Sequence, residues 1–369
     1  MRIAYDHQIF GWQRYGGISR YAYELASGVS LGGSDEAMII APLYINEYLP
    51  HHPPSLKVVG RKIRFISRGG RILRAINAPL ASGKIREFDP DIVHETYYSR
   101  FRTAGKRAKI VLTVFDMVHE KFSGQYSRFD PTRAEKAAAV RRADHIVCIS
   151  RNTQRDLVDI LSVPVEKTSV VYLGSSALAM PESGGTPRER PYLFYVGIRG
   201  GYKNFSRMLR AYAQSARLRD SFDVVCFGGG PFTPEEFRLA ADLALPASRL
   251  RQVSGNDSAM AGWYARAAAF IYPSVYEGFG IPPLEAMSVG CPVICSNSSS
   301  MPEVVGDATE SFDPLDEEQM KNAIENVVFS DSRRQELIAR GRERCAMFSW
   351  RRCSEQTLDI YRGLGSRPA

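Results

Sequence analysis

Tyr272-Pro273-Ser274-Val275-Tyr276-Glu277-Gly278-Phe279-Gly280-Ile281-Pro282-Pro283-Leu284-Glu285-Ala286-Met287 reads as a strand end, a glycine loop and a helix start. The run 268–272 before it is short, apolar and bounded, as a buried strand is. Pro282 and Pro283 sit where a helix begins, because the first N–H groups of a helix have no internal partner to lose. Gly278 and Gly280 let the backbone approach a ligand closely. The N–H groups of the helix start favour an anion. Glu277 stands before the turn and Glu285 is expected in the first helical turn. The two carboxylates can therefore hold different parts of one polyhydroxylated ligand, each accepting hydroxyl hydrogen bonds. Read singly, Glu285 is a helix-capping residue and Glu277 a surface one; together with the glycines they point to a sugar or a ribose.

The same grammar runs outward in both directions. Strands are expected at 192–196, 223–227, 268–272 and 292–295. Helices are expected near 204–217, 234–243, 257–267, 283–289, 317–328, 332–345 and 350–362. Upstream, strands fall near 2–5, 36–41, 91–94, 109–115, 145–149 and 168–173, and helices at 18–30, 64–78, 132–142 and 152–161. Alternating strands and helices predict parallel α/β sheets. Between the two series lies 179–191, rich in Pro, Gly and charge and without periodicity, which reads as a linker. The expected division is 1–180, 187–345 and a terminal helix over 346–369.

The chain has 369 residues, 44% apolar and 24% charged, values of an ordinary globular protein. They exclude a disordered chain, a fibrous repeat and a small disulfide scaffold. No apolar run approaches the ~18 residues of a membrane span, and Met1–Phe10 lacks the basic and apolar regions of a secretory signal. The six cysteines form no CxxC pair and have no metal-ligand spacing, so a reducing cytosol is the expected compartment. The net charge of +8 is uneven: residues 1–180 carry +9 and the rest −1. Fourteen basic residues lie between Lys57 and Lys109. That half suits an anionic partner or is simply a solvated charged surface.

Other strand ends carry chemistry too. Val196-Gly197-Ile198-Arg199-Gly200-Gly201-Tyr202-Lys203-Asn204 places Arg199 and Lys203 at the mouth of a glycine loop, with Asn204 as a good N-cap. Two cations beside a helix N-terminus make a diphosphate site without a metal. Phe227-Gly228-Gly229-Gly230-Pro231 is another glycine loop. Trp12–Tyr21 contains Gly16-Gly17 between the first strand and a helix, a weak signal alone. Thr113-Val114-Phe115-Asp116-Met117-Val118-His119 closes a further strand; a lone His such as His119 is more often structural than functional. Arg61–Asn77 mixes isoleucines and basic residues like a cationic amphipathic helix, though Gly69-Gly70 would break it.

The stretch from Glu277 to Glu285 resembles the glutamate–seven residues–glutamate motif of the retaining GT-B glycosyltransferases, specifically glycosyltransferase family 4. The likeness continues through Met287–Ile294 and Met301–Ala308 and covers nearly the whole chain. It implies an α/β GT-B fold: two doubly wound Rossmann-like domains facing a cleft, with a C-terminal helix crossing back to the first. The first domain would bind acceptor and the second the nucleotide sugar. It implies that Glu277 contacts the donor sugar, that Glu285 binds the ribose, and that Gly278, Phe279, Gly280 and Ile281 approach sugar and diphosphate. Arg199 and Lys203 would neutralise the leaving diphosphate, with Gly16, Gly17 and Gly228 also on the donor. Relatives carry His-Asp where this chain has Phe115-Asp116, which leaves Asp116 and His119 as candidates at the transferred sugar. Gly255-Asn256-Asp257 with Trp263-Tyr264 resembles the segment lining the base pocket.

The expectation is a metal-independent retaining hexosyltransferase without a cofactor. GDP-mannose is the favoured donor, with a UDP-hexose next. The acceptor would be a glycan or lipid-linked saccharide in the synthesis of a cell-surface polysaccharide such as lipopolysaccharide. A cytoplasmic enzyme is expected, with peripheral contact at the anionic inner face of the membrane through the basic half. A pyridoxal-dependent phosphorylase needs a longer chain. A nucleic-acid-binding protein fits the pI but no motif supports it. A non-catalytic nucleotide-sugar-binding subunit would not need all of Glu277, Glu285, Arg199 and Lys203. Oligomeric state is left open. In the terminal helix, Trp350 is expected as a packed anchor.

Overall fold

The computed structural model describes residues 1–64, 70–176, 178 and 190–365, without the side chains of 70–72. The chain divides into two units, Met1–Gly174 with Ser349–Ala369, and Ser175–Phe348. The change of unit falls at Gly174 because Ser175 N–H already donates to Phe348 O (3.2 Å) in the second unit. Most of the expected linker, 179–189, lies outside the described residues.

The first unit holds β1 (Arg2–Tyr5), β2 (Glu36–Tyr44), β3 (Lys57–Lys62), β4 (Ile92–Glu95), β5 (Lys109–Val114), β6 (His145–Cys148) and β7 (Thr168–Val170). The second holds β8 (Tyr192–Val196), β9 (Asp223–Phe227), β10 (Leu250–Val253), β11 (Ala269–Tyr272), β12 (Val293–Ser296) and β13 (Glu310–Phe312). The sheet orders are β3-β2-β1-β4-β5-β6-β7 and β10-β9-β8-β11-β12-β13. All strand pairs are parallel. Each order reverses once, between β1 and β4 and between β8 and β11. Ligands of open α/β sheets bind beyond the carboxyl ends of the strands flanking such a reversal.

The central strands are apolar on both faces because helices cover both. Leu193, Phe194, Tyr195, Phe270, Ile271 and Ile294 are all essentially solvent-free. The edge strand β3 has no residue fully buried, and without a core face it carried no periodic signal in the sequence. The helix expected at 64–78 is found at Gly70–Phe88, with Pro79 inside it; residues 65–69 of that expectation lie outside the described residues. The helix expected at 204–217 breaks at Ser215, whose hydroxyl caps a second helix, Ala216–Ser221.

The last helix, Trp350–Gly365, packs on the helix Gly17–Leu31 of the first unit. Glycine makes the approach possible: a Cβ at Gly28 would overlap Ser354, and one at Gly174 would overlap Trp350. Trp350, expected as a packed anchor, is half-buried and lies against Gly174 and Tyr21; the fully buried aromatic of this helix is Tyr361, 0% exposed. Tyr361 Oη lies 2.5 Å from His94 Nδ1 and 3.4 Å from Tyr5 Oη. His94 Nε2 meets Thr113 Oγ1 at 2.9 Å, which in turn meets Tyr21 Oη at 2.9 Å. Arg362 and the Met1 ammonium share Asp35 at the far end.

Burial lowers the His94 pKa from 6.5 to about 3. A group whose folded pKa is depressed supports the fold fully above its unfolded pKa and loses that support as pH falls. His94 should therefore add ~1.4 kcal/mol of destabilisation per pH unit between about 6.5 and 3. Thermal melts across pH 4–7 should show a steeper acid decline for wild type than for His94→Gln; parallel curves would deny His94 the role.

Candidate active site

At the reversal of the second sheet, β8 and β11 deliver two loops side by side. Val275 N–H donates to Tyr202 O (2.8 Å). Asn204 Nδ2 donates to Pro273 O (2.9 Å) and Pro314 O (2.7 Å). Asn204 has φ 61°, in the left-handed region, and its side chain makes no cap hydrogen bond. The expected N-cap is instead a stitch between loops.

Lys203 and Glu277, from the two loops, form an ion pair of 2.7 Å, with side chains 19% and 12% exposed. Lys203 Nζ lies 5.4 Å from the centre of the Tyr202 ring and 5.8 Å from that of Tyr272. Tyr272 is held above its ordinary pKa by burial and by the Glu277 carboxylate. An ammonium keeps three donors; one serves Glu277, and the half-open setting suits the others to a second anion.

Arg199 is placed differently. It is 6% exposed and turned inward. Nε donates to Glu236 Oε1 (2.7 Å), Nη1 to Gly228 O (3.2 Å), and Nη2 to Gly230 O (3.0 Å) and Pro231 O (2.8 Å). The guanidinium also lies 4.6 Å from the centre of the Phe232 ring. It does not stand at the loop mouth beside Lys203; it fastens the Gly228–Pro231 loop to the helix Pro234–Asp242. Gly228, Gly229 and Gly230 all have φ near +70°, at 77°, 69° and 74°, a run only glycine sustains without strain. A Cβ on Gly228 would meet nothing within 4 Å, so that glycine borders open space.

Gly280 starts the helix Ile281–Ser288 at φ 110°, and a Cβ there would overlap Met301. Pro282 and Pro283 bring no N–H, so the donors of this helix start reduce to Gly280, Ile281 and Leu284. Glu285 lies beyond the first turn, where no acidic residue is found, and is 7% exposed. Burial of Tyr264, and then the Glu285 charge, holds its phenol above the ordinary pKa. Tyr264 is fully buried between Phe194 and Phe270, which removes it from any base-stacking surface. Trp263 keeps Arg251 and Arg266 within 5.6 and 5.8 Å of its ring. Asn256 caps its helix through Ala259 N–H (2.9 Å).

In the first unit, Gln13 Oε1 accepts Ser19 N–H (3.1 Å) and folds over Gly16, where a Cβ would overlap it. Gly17 faces open space. Asp116 caps its own turn through Val118 N–H (3.0 Å). Beneath it Lys136, with no exposed side-chain surface, donates to Asp116 O (2.9 Å) and Glu120 Oε2 (2.7 Å). His119 stacks on Tyr126 with ring centres 4.1 Å apart. Burial, then the Lys136 charge, lowers its pKa. Phe115 is buried against Tyr21.

Sequence reasoning missed Glu236, Lys136 and the run Ser296-Asn297-Ser298-Ser299-Ser300. A signal for the last was present: four serines in five residues at a strand end facing the Glu277 loop.

Two family profiles abut along this chain. The one described as Glycosyltransferase Family 4 matches residues 15–177, and the one described as Glycosyl transferases group 1 matches residues 178–344. The chain belongs to glycosyltransferase family 4. This is a family of retaining hexosyltransferases with the GT-B fold. O-antigen chain mannosyltransferase B of Escherichia coli is 30% identical over 59% of this chain and 60% of its own length. The serotype-specific mannosyltransferase WbdA of the same organism is 27% identical over 61% of this chain and 29% of its own. The matches thus span under two thirds of either relative. Sucrose-phosphate synthase of Thermosynechococcus elongatus superposes with a TM-score of 0.78 at 19% identity, covering 98% of both chains. Among the described residues, no helix is long and apolar enough to cross a membrane.

Proposed function

We propose that this family 4 protein transfers mannose, with retention and without a metal, from GDP-mannose to a hydroxyl of a glycan or lipid-linked saccharide. The observation that carries the proposal is the Lys203–Glu277 pair at the reversal of the second sheet. In this reading Glu277 accepts hydrogen bonds from sugar hydroxyls. Lys203 spans Glu277 and the diphosphate, and Glu285 accepts from the ribose. Gly278–Ile281 bring backbone donors to the same diphosphate, and Gly17 and Gly228 leave room for phosphate oxygens on their own loops, whereas Gly16 lies under the Gln13 side chain. Asp116, held by Lys136, and His119, stacked on Tyr126, belong to the first unit's strand-end loops and are proposed to face the transferred sugar. Arg199 is assigned a supporting part: it shapes the Gly228 loop.

The chemistry is a same-face exchange. The bond from C1 to the phosphate oxygen breaks and its electron pair stays on that oxygen. The acceptor hydroxyl forms the new C1–O bond and its proton passes to the departing phosphate. Lys203 gains most when that charge is greatest, which is the condition for catalysis rather than mere binding. The mannosyl choice follows the two Escherichia coli relatives, and peripheral membrane contact follows the charge of the first half.

The glutamates separate the reading from a general loss of fold. Removing a charge-assisted hydrogen bond costs ~1.5–3 kcal/mol. Glu285→Gln should therefore weaken GDP binding by about 10–100-fold in calorimetry. Glu277→Gln should bind GDP within about twofold of wild type yet lose transfer by ~10²-fold. Equal losses of GDP binding in both variants would refute the division, and activity abolished by EDTA would refute metal independence.

A further inference from the structure

The Glu277 loop is held by hydroxyls rather than by a sheet ladder. Ser296 Oγ donates to Ser274 O (2.7 Å) and Ser298 Oγ to Val275 O (2.7 Å). Ser300 Oγ lies 2.9 Å from both Glu277 O and Phe279 O, so its one proton is shared between them. Ser299 Oγ accepts Glu277 N–H at 2.8 Å. Ser296 and Ser300 are wholly buried. The peptide on either side of Glu277 is thus gripped at its N–H by Ser299 and at its C=O by Ser300. Ser299 is bent to do so: its φ is 53°, a left-handed conformation disfavoured for serine. Strain of that kind persists only where the surroundings impose it.

We infer that Ser299 and Ser300 are positioning residues that set the backbone of Glu277, and so fix where its carboxylate meets Lys203 and the donor sugar. This rests on the proposed role of Glu277. Neither serine needs to touch the substrate. A misplacement of about 1 Å at a group that acts in the transition state costs ~10²-fold in rate, whereas nucleotide binding through Glu285 lies on a separate helix.

Ser299→Gly tests the inference, because glycine accepts the left-handed backbone while removing only the hydroxyl. The expected result is a Tm within about 2 °C of wild type, GDP affinity within about twofold in calorimetry, and kcat lowered about 5–20-fold at saturating donor. Ser300→Ala should lower kcat similarly, and Ser300→Thr, which keeps the hydroxyl, should recover most of it. Glu277→Gln is assayed alongside. If Glu277→Gln is inactive and Ser299→Gly keeps wild-type kcat, the positioning inference falls while the proposed function stands. If Glu277→Gln stays fully active, the reading beneath both falls.

Discussion

Lys203→Ala is expected to lower kcat by ~10²–10³-fold with an unchanged melting temperature. Its ammonium is half-open and pairs with a single carboxylate, so the fold loses little without it, whereas the departing diphosphate loses a cation when charge builds there. Arg199→Ala should fail for the opposite reason. Four acceptors surround that guanidinium, its side chain is 2% exposed, and breaking a buried pair costs ~3–5 kcal/mol. Arg199→Lys will not restore it, since one ammonium cannot reproduce the planar fork. Steady-state kinetics beside calorimetric unfolding checks both. A stable Arg199→Ala protein that loses only kcat would move Arg199 back to the diphosphate.

Tyr361→Ala should destabilise the first unit by ~3–5 kcal/mol, the cost of an emptied aromatic site. It should also leave His94 without its Nδ1 partner. Tyr361→Phe keeps the volume and removes only the hydroxyl, for about 1–3 kcal/mol. In a calorimetric scan the transition of the first unit should fall and that of the second should stay. An unchanged scan for Tyr361→Ala would show that the last helix contributes little.

The strand-end loops were legible because glycine and proline punctuate them: Gly197, Gly228 and Gly280 each mark a turn that a side chain would strain or block. The interior strands were legible by their unbroken apolar runs. Edge strands β3, β10 and β13 were not, since a strand with little burial needs no apolar pattern. The identity of the strand-end cations was half legible. Arg199 and Lys203 look alike four residues apart, and it takes Glu236, 37 residues on, with the carbonyls of the Gly228–Pro231 loop, to turn the first inward. Glu285 was expected one turn too early because two prolines extend the helix start. Lys136 was hidden among the charges of 132–142, where nothing in the local spacing distinguishes a buried lysine from a solvated one.

The last helix makes the first unit discontinuous in sequence. On a ribosome, residues 175–348 can complete their own unit while the earlier one still waits for the segment that covers His94 and Tyr5. The unit begun first is thus the one closed last. Until synthesis passes Tyr361, the face of the first unit that bears Tyr5, Tyr21 and His94 lacks its cover, and transiently exposed surface of that kind favours aggregation.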